Sequence, residues 1–168
     1  MYRTVAQTAF SQNNLQENFN KGDAFENYII TLFNQKNFKL LEWRNSKQAS
    51  NGAYPLNNVY PDLEFYFQRK GKYQFAIECK WREKFEDGKI EWAKAGNIDA
   101  YVRYQKEKNI RVFVAIGIGG SPSQPEKLFI TPLDNIKMYT ELYECNLMPY
   151  TRRPAQRFFY DTIQMKLF

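Results

Sequence analysis

The chain has 168 residues, a formal net charge of +6 and no histidine. Its length suits one domain with its own core, and a hydrophobic content of 43% with 17% aromatic residues excludes a disordered chain. The lack of histidine excludes Ser-His hydrolases, His-metal finger nucleases and most zinc enzymes. Any bound metal must therefore have oxygen ligands, which favours Mg²⁺ or Mn²⁺.

The positive charge suits a polyanionic partner such as nucleic acid, although charge alone does not establish one. The longest strongly apolar run, Val112 to Ile118, is too short to span a bilayer. The first twenty residues contain no apolar block of the kind found in signal peptides. Two cysteines, Cys79 and Cys145, provide no disulfide framework. We therefore expect a cytoplasmic protein that does not enter a membrane.

The first third of the chain predicts a helix, a strand and a long loop. Apolar residues at helical spacing predict a helix over residues 21–37, and residues 38–44 are typical of a strand. Residues 45–60 are rich in Asn, Ser, Gly and Pro and indicate a long loop, of a kind that is usually functional or mobile. This loop leads directly to Asp62.

Two runs of alternating apolar residues, 60–67 and 73–80, predict a β-hairpin. A three-residue loop over 69–71, with Gly71 in the left-handed conformation, would connect them. Counting outward from this loop opposes Leu63 with Ile77 and Asp62 with Glu78. A two-residue loop would oppose Leu63 with Glu78, a conflict that half-buried strands avoid.

In this register one face of the hairpin is apolar and the other carries nearly all the polar groups. The second face contains Asp62, Glu64, Tyr66, Gln74, Ala76, Glu78 and Lys80. Directly opposed residues have Cβ atoms about 5 Å apart. Two carboxylates that close repel each other unless a cation lies between them or one is protonated. The register therefore predicts a metal site at Asp62 and Glu78.

Pro61-Asp62, fifteen intervening residues and then Glu78-Cys79-Lys80 form a motif that resembles the PD-(D/E)xK nuclease signature. This superfamily includes restriction endonucleases, Holliday-junction resolvases and repair nucleases. Members typically add a glutamate on the first helix, which Glu26 matches. They often carry a polar residue on the helix after the Glu-x-Lys strand, and Gln105 is the candidate. The resemblance covers residues 21–116, about half of the chain.

The resemblance implies an α/β fold of the α+β type, with a restriction-endonuclease-like αβββαβ core whose mixed central sheet is flanked by helices. It implies an Mg²⁺-dependent deoxyribonuclease, with Mn²⁺ able to substitute, that acts on duplex or branched DNA. Asp62, Glu78 and Glu26 would bind metal, Lys80 would stabilise the transition state, and Gln105 would support Lys80. Many members dimerise, so a homodimer is a further expectation.

Each candidate also has a structural interpretation. Asp62 and Glu78 could lie on a solvated strand face, and Lys80 could form a cross-strand ion pair with either of them. Glu26 lies at the edge of an apolar stripe, where a buried carboxylate needs a partner, and a salt bridge would serve as well as a metal. Glu64 shares the face of Asp62 but should point away along the strand.

The second half of the chain completes the predicted sheet. Residues 93–108 predict a helix, 111–118 a buried strand, 128–131 a final strand and 133–143 a short helix. Gln105 lies near the end of the first of these helices, where an exposed position is as compatible as one over Lys80. We therefore expect a single domain over 1–168, with a core over about 21–131 and a basic, aromatic C-terminal extension over 132–168.

Two basic and aromatic segments are candidates for nucleic-acid contacts by stacking and phosphate binding. One follows the Glu-x-Lys strand and the other lies in the tail. Their candidate residues are Trp81, Arg82, Lys84, Arg152, Arg153 and Arg157. Trp81 could equally be a core residue. A rival to the nuclease is a nucleic-acid-binding module of the same fold that does not cut, and a metal-free α/β interaction protein is a third hypothesis.

Overall fold

The computed structural model describes residues 17–18, 20–44, 60–69 and 73–168. Most of the predicted long loop, residues 45–59, and the hairpin loop with Gly71 lie outside the described residues. Within the described part of the chain, no helix is long and apolar enough to cross a membrane.

A six-stranded sheet forms the centre of the fold. In spatial order its strands are β1 (Phe38–Trp43), β2 (Leu63–Phe67), β3 (Tyr73–Arg82), β5 (Arg111–Ile118), β6 (Lys127–Pro132) and β8 (Thr151–Arg152). Only β3 and β5 run parallel among these neighbours, because helix α2 (Ala95–Lys108) connects them as a crossover. The sheet is therefore mixed, as the sequence predicted.

Shorter elements surround this sheet. Strand β4 (Lys89–Glu91) pairs with β7 (Glu141–Tyr143), and β9 (Tyr160–Asp161) pairs with β10 (Lys166–Leu167). Helix α3 (Glu144–Leu147) follows β7. These strand pairs attach the C-terminal extension to the core, in which Leu142, Tyr160 and Leu167 are buried.

The two long helices cover opposite faces of the sheet because side chains alternate along each strand. Helix α1 (residues 20–31) packs on the face that carries Phe75, Ile77 and Cys79 of β3. Helix α2 packs on the other face, with Ala76 of β3 and Val114 of β5. The even-numbered residues of β3 thus face α2, which decides where Glu78 and Lys80 point.

The predicted register of the hairpin is confirmed. Leu63 pairs with Ile77 and Phe65 pairs with Phe75, as the three-residue loop requires. All these side chains belong to the core on the α1 face. A shift of one residue would have turned every one of them to the other face.

Two predicted helices differ from the structure. The helical residues of α1 end at Thr31 rather than residue 37, because Asn34 forms a turn in which its Oδ1 accepts a hydrogen bond from Lys36 N at 3.0 Å. Residues 133–143 form one 3₁₀ turn, Leu133–Asn135, and then strand β7. Pairing with β4 overrides the local helical spacing there, since Leu142 is buried against Ile90.

Candidate active site

Four predicted site residues from three elements meet at one end of the sheet. Asp62 precedes β2, Glu78 and Lys80 belong to β3, and Glu26 projects from α1. A cleft of about 490 Å³ opens there and is lined by Glu26, Asp62 and Lys80, while Glu78 is buried with 1% exposure and does not line the cleft. The hairpin register and the position of α1 together create this convergence.

Asp62 is fixed at the point where β2 begins. Its Oδ2 accepts a hydrogen bond from the backbone N of Cys79 at 2.7 Å, so the carboxylate lies against β3 beside Glu78. Removal from water, followed by the negative charges of Glu78 and Glu26, raises the pKa of Asp62 well above its usual range, and Lys80 opposes this rise. The fold thus crowds like charges that a cation would stabilise.

Glu78 has one satisfied and one unsatisfied carboxylate oxygen. Its Oε1 accepts a hydrogen bond from the Tyr101 hydroxyl at 2.6 Å and also contacts Lys80 Nζ. Burial, and then the charge of Glu78, raises the pKa of Tyr101, so this hydroxyl stays protonated and donates. Within the described residues, Glu78 Oε2 is buried and has no hydrogen-bond partner. A buried carboxylate oxygen without a partner is costly and indicates a missing ligand.

Lys80 stays charged at this site. Burial alone lowers its pKa, but the carboxylates of Glu78 and Asp62 outweigh that effect and raise the pKa above the ordinary value. Lys80 forms an ion pair with Glu78, which lies on the same strand, β3, and not across the hairpin as predicted. Lys80 also lines the cleft.

Glu26 is held by Trp43 rather than by a cation. The Trp43 indole Nε1 donates a hydrogen bond to Glu26 Oε2 at 2.6 Å, and no ion pair of Glu26 occurs among the described residues. Burial raises the pKa of Glu26 to about 7, the Trp43 hydrogen bond opposes the rise, and nearby carboxylates add to it. The carboxyl therefore titrates near neutral pH.

The donor set fits a divalent ion that is bound by few protein ligands. In the part of the chain that the structure describes, no group of three or more carboxylate or cysteine side chains is assembled for a metal. Mg²⁺ commonly uses one or two carboxylates and takes its other ligands from water and substrate phosphates. Asp62 and Glu78 fit this pattern, because their like charges are close and Glu78 Oε2 lacks a partner.

Gln105 does not lie over Lys80, and the predicted position is wrong. Its Oε1 accepts a hydrogen bond from Val112 N at 2.9 Å, and its Nε2 lies 3.3 Å from both carboxylate oxygens of Asp134. Val112 is at the start of β5, away from the cleft, so α2 delivers the earlier residue Tyr101 to Glu78 instead. Tyr101 could not be identified from the sequence, because a tyrosine within a predicted helix gives no signal that its hydroxyl will meet a buried carboxylate.

Glu64 is not available to the site. It is 4% exposed and forms an ion pair with Arg44 at 3.0 Å between Nη2 and Oε2. It also accepts hydrogen bonds from Gln74 and from the Tyr104 hydroxyl. With this full set of partners, Glu64 points away from the cleft, as its position along the strand predicted.

The residues after Lys80 have different surroundings. Arg82 lines the cleft and donates hydrogen bonds to the carbonyl oxygens of Trp81 and Glu91. Trp81 packs against the core on the α1 face, its Nε1 donates to Gly119 O at 3.2 Å, and the residue also lines the cleft. Lys84 is exposed.

The arginines of the tail divide into one structural residue and two exposed ones. Arg152 donates hydrogen bonds to Thr151 O at 2.7 Å and Leu167 O at 3.1 Å, and its guanidinium lies over the Phe168 ring. Arg153 and Arg157 are exposed. Arg152 therefore anchors the C-terminal segment.

The tail lies three strands from the site strand. In β5, β6 and β8, the residues aligned with Trp81 are Gly117, Leu128 and Arg152. At about 4.8 Å per strand, this separates the tail from β3 by about 14 Å across the sheet. Arg152 thus lies level with Trp81 along the strand direction but three strands away across the sheet.

The sequence matches no protein-family model and no curated protein. Among solved structures, the chain is similar to Hjc from Archaeoglobus fulgidus, a Holliday junction resolvase from an archaeal hyperthermophile. The two share 16% sequence identity with a TM-score of 0.55, over 83% of this chain and 98% of the other. At that identity the likeness concerns the fold alone. Together with the mixed sheet and its flanking helices, it gives this chain the restriction-endonuclease-like fold that the sequence predicted.

Proposed function

We propose that this protein is a divalent-metal-dependent nuclease that hydrolyses phosphodiester bonds in DNA. The observation that carries the proposal is Glu78, which is buried beside Asp62 with one carboxylate oxygen unpaired. A protein that only bound nucleic acid would gain nothing from this crowding of buried carboxylates. The charge conflict costs stability unless a cation is bound.

Asp62 and Glu78 would hold the ion, with Mg²⁺ as the natural metal and Mn²⁺ able to substitute. Oxygen ligands and the absence of histidine favour these hard cations. When bound, the ion would lower the pKa of a water molecule and offset the charge that builds on the phosphate. The Tyr101 hydroxyl holds Glu78 Oε1, so the unpaired Oε2 would be the oxygen available to the ion.

Lys80 would stabilise charge on the phosphate. Because its pKa is raised and it faces the cleft, it remains an ammonium group at neutral pH and is poorly suited to remove a proton. A fixed positive charge of this kind is most effective where it meets the charge that develops in the transition state.

Glu26 would handle a proton or orient a water on the α1 side of the cleft. A pKa of about 7 means that both protonation states are populated at neutral pH, which suits a group that exchanges protons with water. Trp43 holds one carboxylate oxygen, leaving the other for the cleft.

Branched DNA is the first substrate to test, because the structural neighbour is a Holliday junction resolvase. The net charge of +6 suits a nucleic-acid partner. Arg82 in the cleft, the exposed Lys84 that follows β3, and the exposed Arg153 and Arg157 on the tail would contact phosphates. A homodimer would allow paired cuts in two strands.

The test is incubation of purified protein with plasmid, linear duplex, single-stranded and four-way-junction DNA, with Mg²⁺, Mn²⁺ or EDTA. Metal-dependent cleavage that is lost in Lys80→Ala supports the nuclease. Lys80→Ala should still bind metal, because lysine is not a ligand. If wild type cuts none of these DNA forms and neither metal changes its melting temperature, the catalytic proposal fails and the non-cleaving binding module becomes the better account.

A further inference from the structure

Strand β1 contains a β-bulge next to the candidate site. Leu40 pairs with Phe65, but Glu42 pairs with Glu64, so Leu41 is an extra residue. Such a bulge changes which side chains point to each face beyond it and is frequent near active sites. Here it sets the direction of the next two side chains. Trp43 contacts Glu26, and Arg44 contacts the segment that carries Asp62.

Arg44 follows the bulged strand and contacts the segment that carries Asp62. Its backbone N donates a hydrogen bond to Asp62 O at 2.8 Å, and its Nη1 donates to Pro61 O at 2.8 Å. Asp62 stands before the first paired residue of β2, Leu63, so the β2–β3 ladder does not hold its backbone. Arg44 supplies that support from the neighbouring strand.

The guanidinium of Arg44 is itself fixed by a buried network. Its Nη2 donates to Glu64 Oε2 at 3.0 Å and to the Tyr104 hydroxyl at 3.2 Å. Glu64 also accepts from Gln74 and Tyr104. The Tyr60 and Tyr104 rings lie 5.8 Å and 5.5 Å from the guanidinium carbon. This set of partners leaves the planar fork one orientation, with Nη1 on Pro61 O.

We propose that Arg44 is a positioning residue that fixes Asp62 for metal binding. The inference rests on the proposed function, because it assigns the support of that metal site. Groups that orient a metal ligand commonly contribute about 10–100-fold to metal affinity or activity. Lysine would keep the charge of Arg44 but could not bridge Pro61 O and Glu64 with one planar fork.

The experiment compares Arg44→Lys with two controls. Glu42→Gln removes only the exposed ion-pair partner of Arg44, at 3.3 Å and 55% exposure of the Glu42 side chain. Leu167→Ala creates a cavity under the C-terminal hairpin, across the sheet from Asp62, and so lowers stability without touching this network. Mn²⁺ affinity is measured by the electron paramagnetic resonance signal of free Mn²⁺, at a temperature at which every variant is folded. The Mn²⁺ concentration for half-maximal cleavage is measured in parallel.

Arg44→Lys should weaken Mn²⁺ binding by about tenfold or more and raise the half-maximal concentration equally, with most activity restored at saturating Mn²⁺. Both controls should retain wild-type affinity, although Leu167→Ala melts at a lower temperature. Unchanged affinity in Arg44→Lys, or an equal loss in Leu167→Ala, overturns the positioning role while the nuclease proposal stands. A wild-type protein that neither binds Mn²⁺ nor cuts DNA overturns both.

Discussion

Some surroundings of Glu78 stabilise its negative charge, and others destabilise it. Tyr101 and Lys80 stabilise its charge through Oε1, while the unpaired Oε2 and the nearby Asp62 carboxylate make the same charge costly. A purely structural ion pair with Lys80 would need neither the unpaired Oε2 nor the nearby Asp62 carboxylate. The balance between them can be measured by removing the charge.

Glu78→Gln should abolish cleavage while the metal-free protein keeps or gains stability. The amide oxygen can still accept the Tyr101 hydrogen bond, and the repulsion with Asp62 disappears. Thermal melts in EDTA and with Mg²⁺, together with a plasmid-nicking assay, check this. Glu144→Gln, which removes an exposed partner of Lys127, is the matched control. A strong loss of stability in EDTA would instead show that Glu78 is mainly the ion-pair partner of Lys80.

Glu26→Gln should stabilise the metal-free protein at pH 8 but hardly at pH 4.5. Burial raises the pKa of Glu26 from 4.5 to about 7. Between pH 4.5 and pH 7, the folded protein therefore keeps a proton on this carboxyl that the unfolded chain has released. The ionised carboxylate therefore costs stability above pH 7, by up to about 3 kcal/mol for a shift of this size. This cost falls as the pH decreases through 7 and is gone below 4.5.

Glutamine imitates the protonated form of Glu26 and can still accept the Trp43 hydrogen bond. Chemical denaturation in EDTA at pH 4.5, 6 and 8 measures the free energy of unfolding of both proteins. A difference between wild type and Glu26→Gln that does not change with pH would contradict the raised pKa.

At the scale of single elements, local patterns determined what the sequence could predict. The hairpin register followed from alternation and loop length alone, and it brought Asp62 to Glu78. The bulge at Leu41 has no comparable local signal, so the role of Arg44 could not be predicted. The predicted position of Gln105 was wrong for a related reason, because the position depends on where α2 begins relative to β5.

The approach of α1 to the sheet depends on Gly117 in β5. A Cβ atom at this position would overlap the Phe25 ring of α1. Gly117→Ala should therefore destabilise the fold by about 1–3 kcal/mol, as overpacking does in other cores, and should displace Glu26, the next residue of α1. Gly96→Ala in α2 is the control, because no atom beyond its chain neighbours and the local helix backbone lies within 4 Å of the added Cβ.

Thermal melts and the cleavage rate of both glycine variants check this prediction. Gly96→Ala should hold or gain stability, by at most about 1 kcal/mol. Adding Phe25→Leu to Gly117→Ala should recover part of the lost stability, because the smaller side chain leaves room for the methyl group. Equal melting temperatures for Gly117→Ala and wild type would mean that α1 does not rest on Gly117.

At the scale of the whole molecule, the three arginines that the sequence predicted as phosphate contacts do not share one role. The sequence placed Arg152, Arg153 and Arg157 together as phosphate contacts, but the structure uses Arg152 to hold the C-terminal segment. Composition could not reveal this division, because it arises from the pairing of β8 with β6. Binding and folding experiments should separate the two kinds of arginine.

Arg153→Ala with Arg157→Ala should weaken binding of junction DNA and flatten its dependence on salt. Each phosphate contact contributes about 0.9 to the slope of log affinity against log salt on duplex DNA, so the loss of two lowers the slope by up to about 1.8. Arg152→Ala should lower the melting temperature instead.

The control is the double substitution Lys106→Ala and Lys108→Ala, which removes the same charge from the last turn of α2, at the end of the sheet opposite the cleft. It should leave the salt slope of junction-DNA binding unchanged. Fluorescence anisotropy at several salt concentrations in EDTA measures all four proteins. A slope that stays at its wild-type value in the Arg153 and Arg157 variant would remove the tail from the interface and leave Arg82 in the cleft and Lys84 after β3 as the candidate DNA contacts.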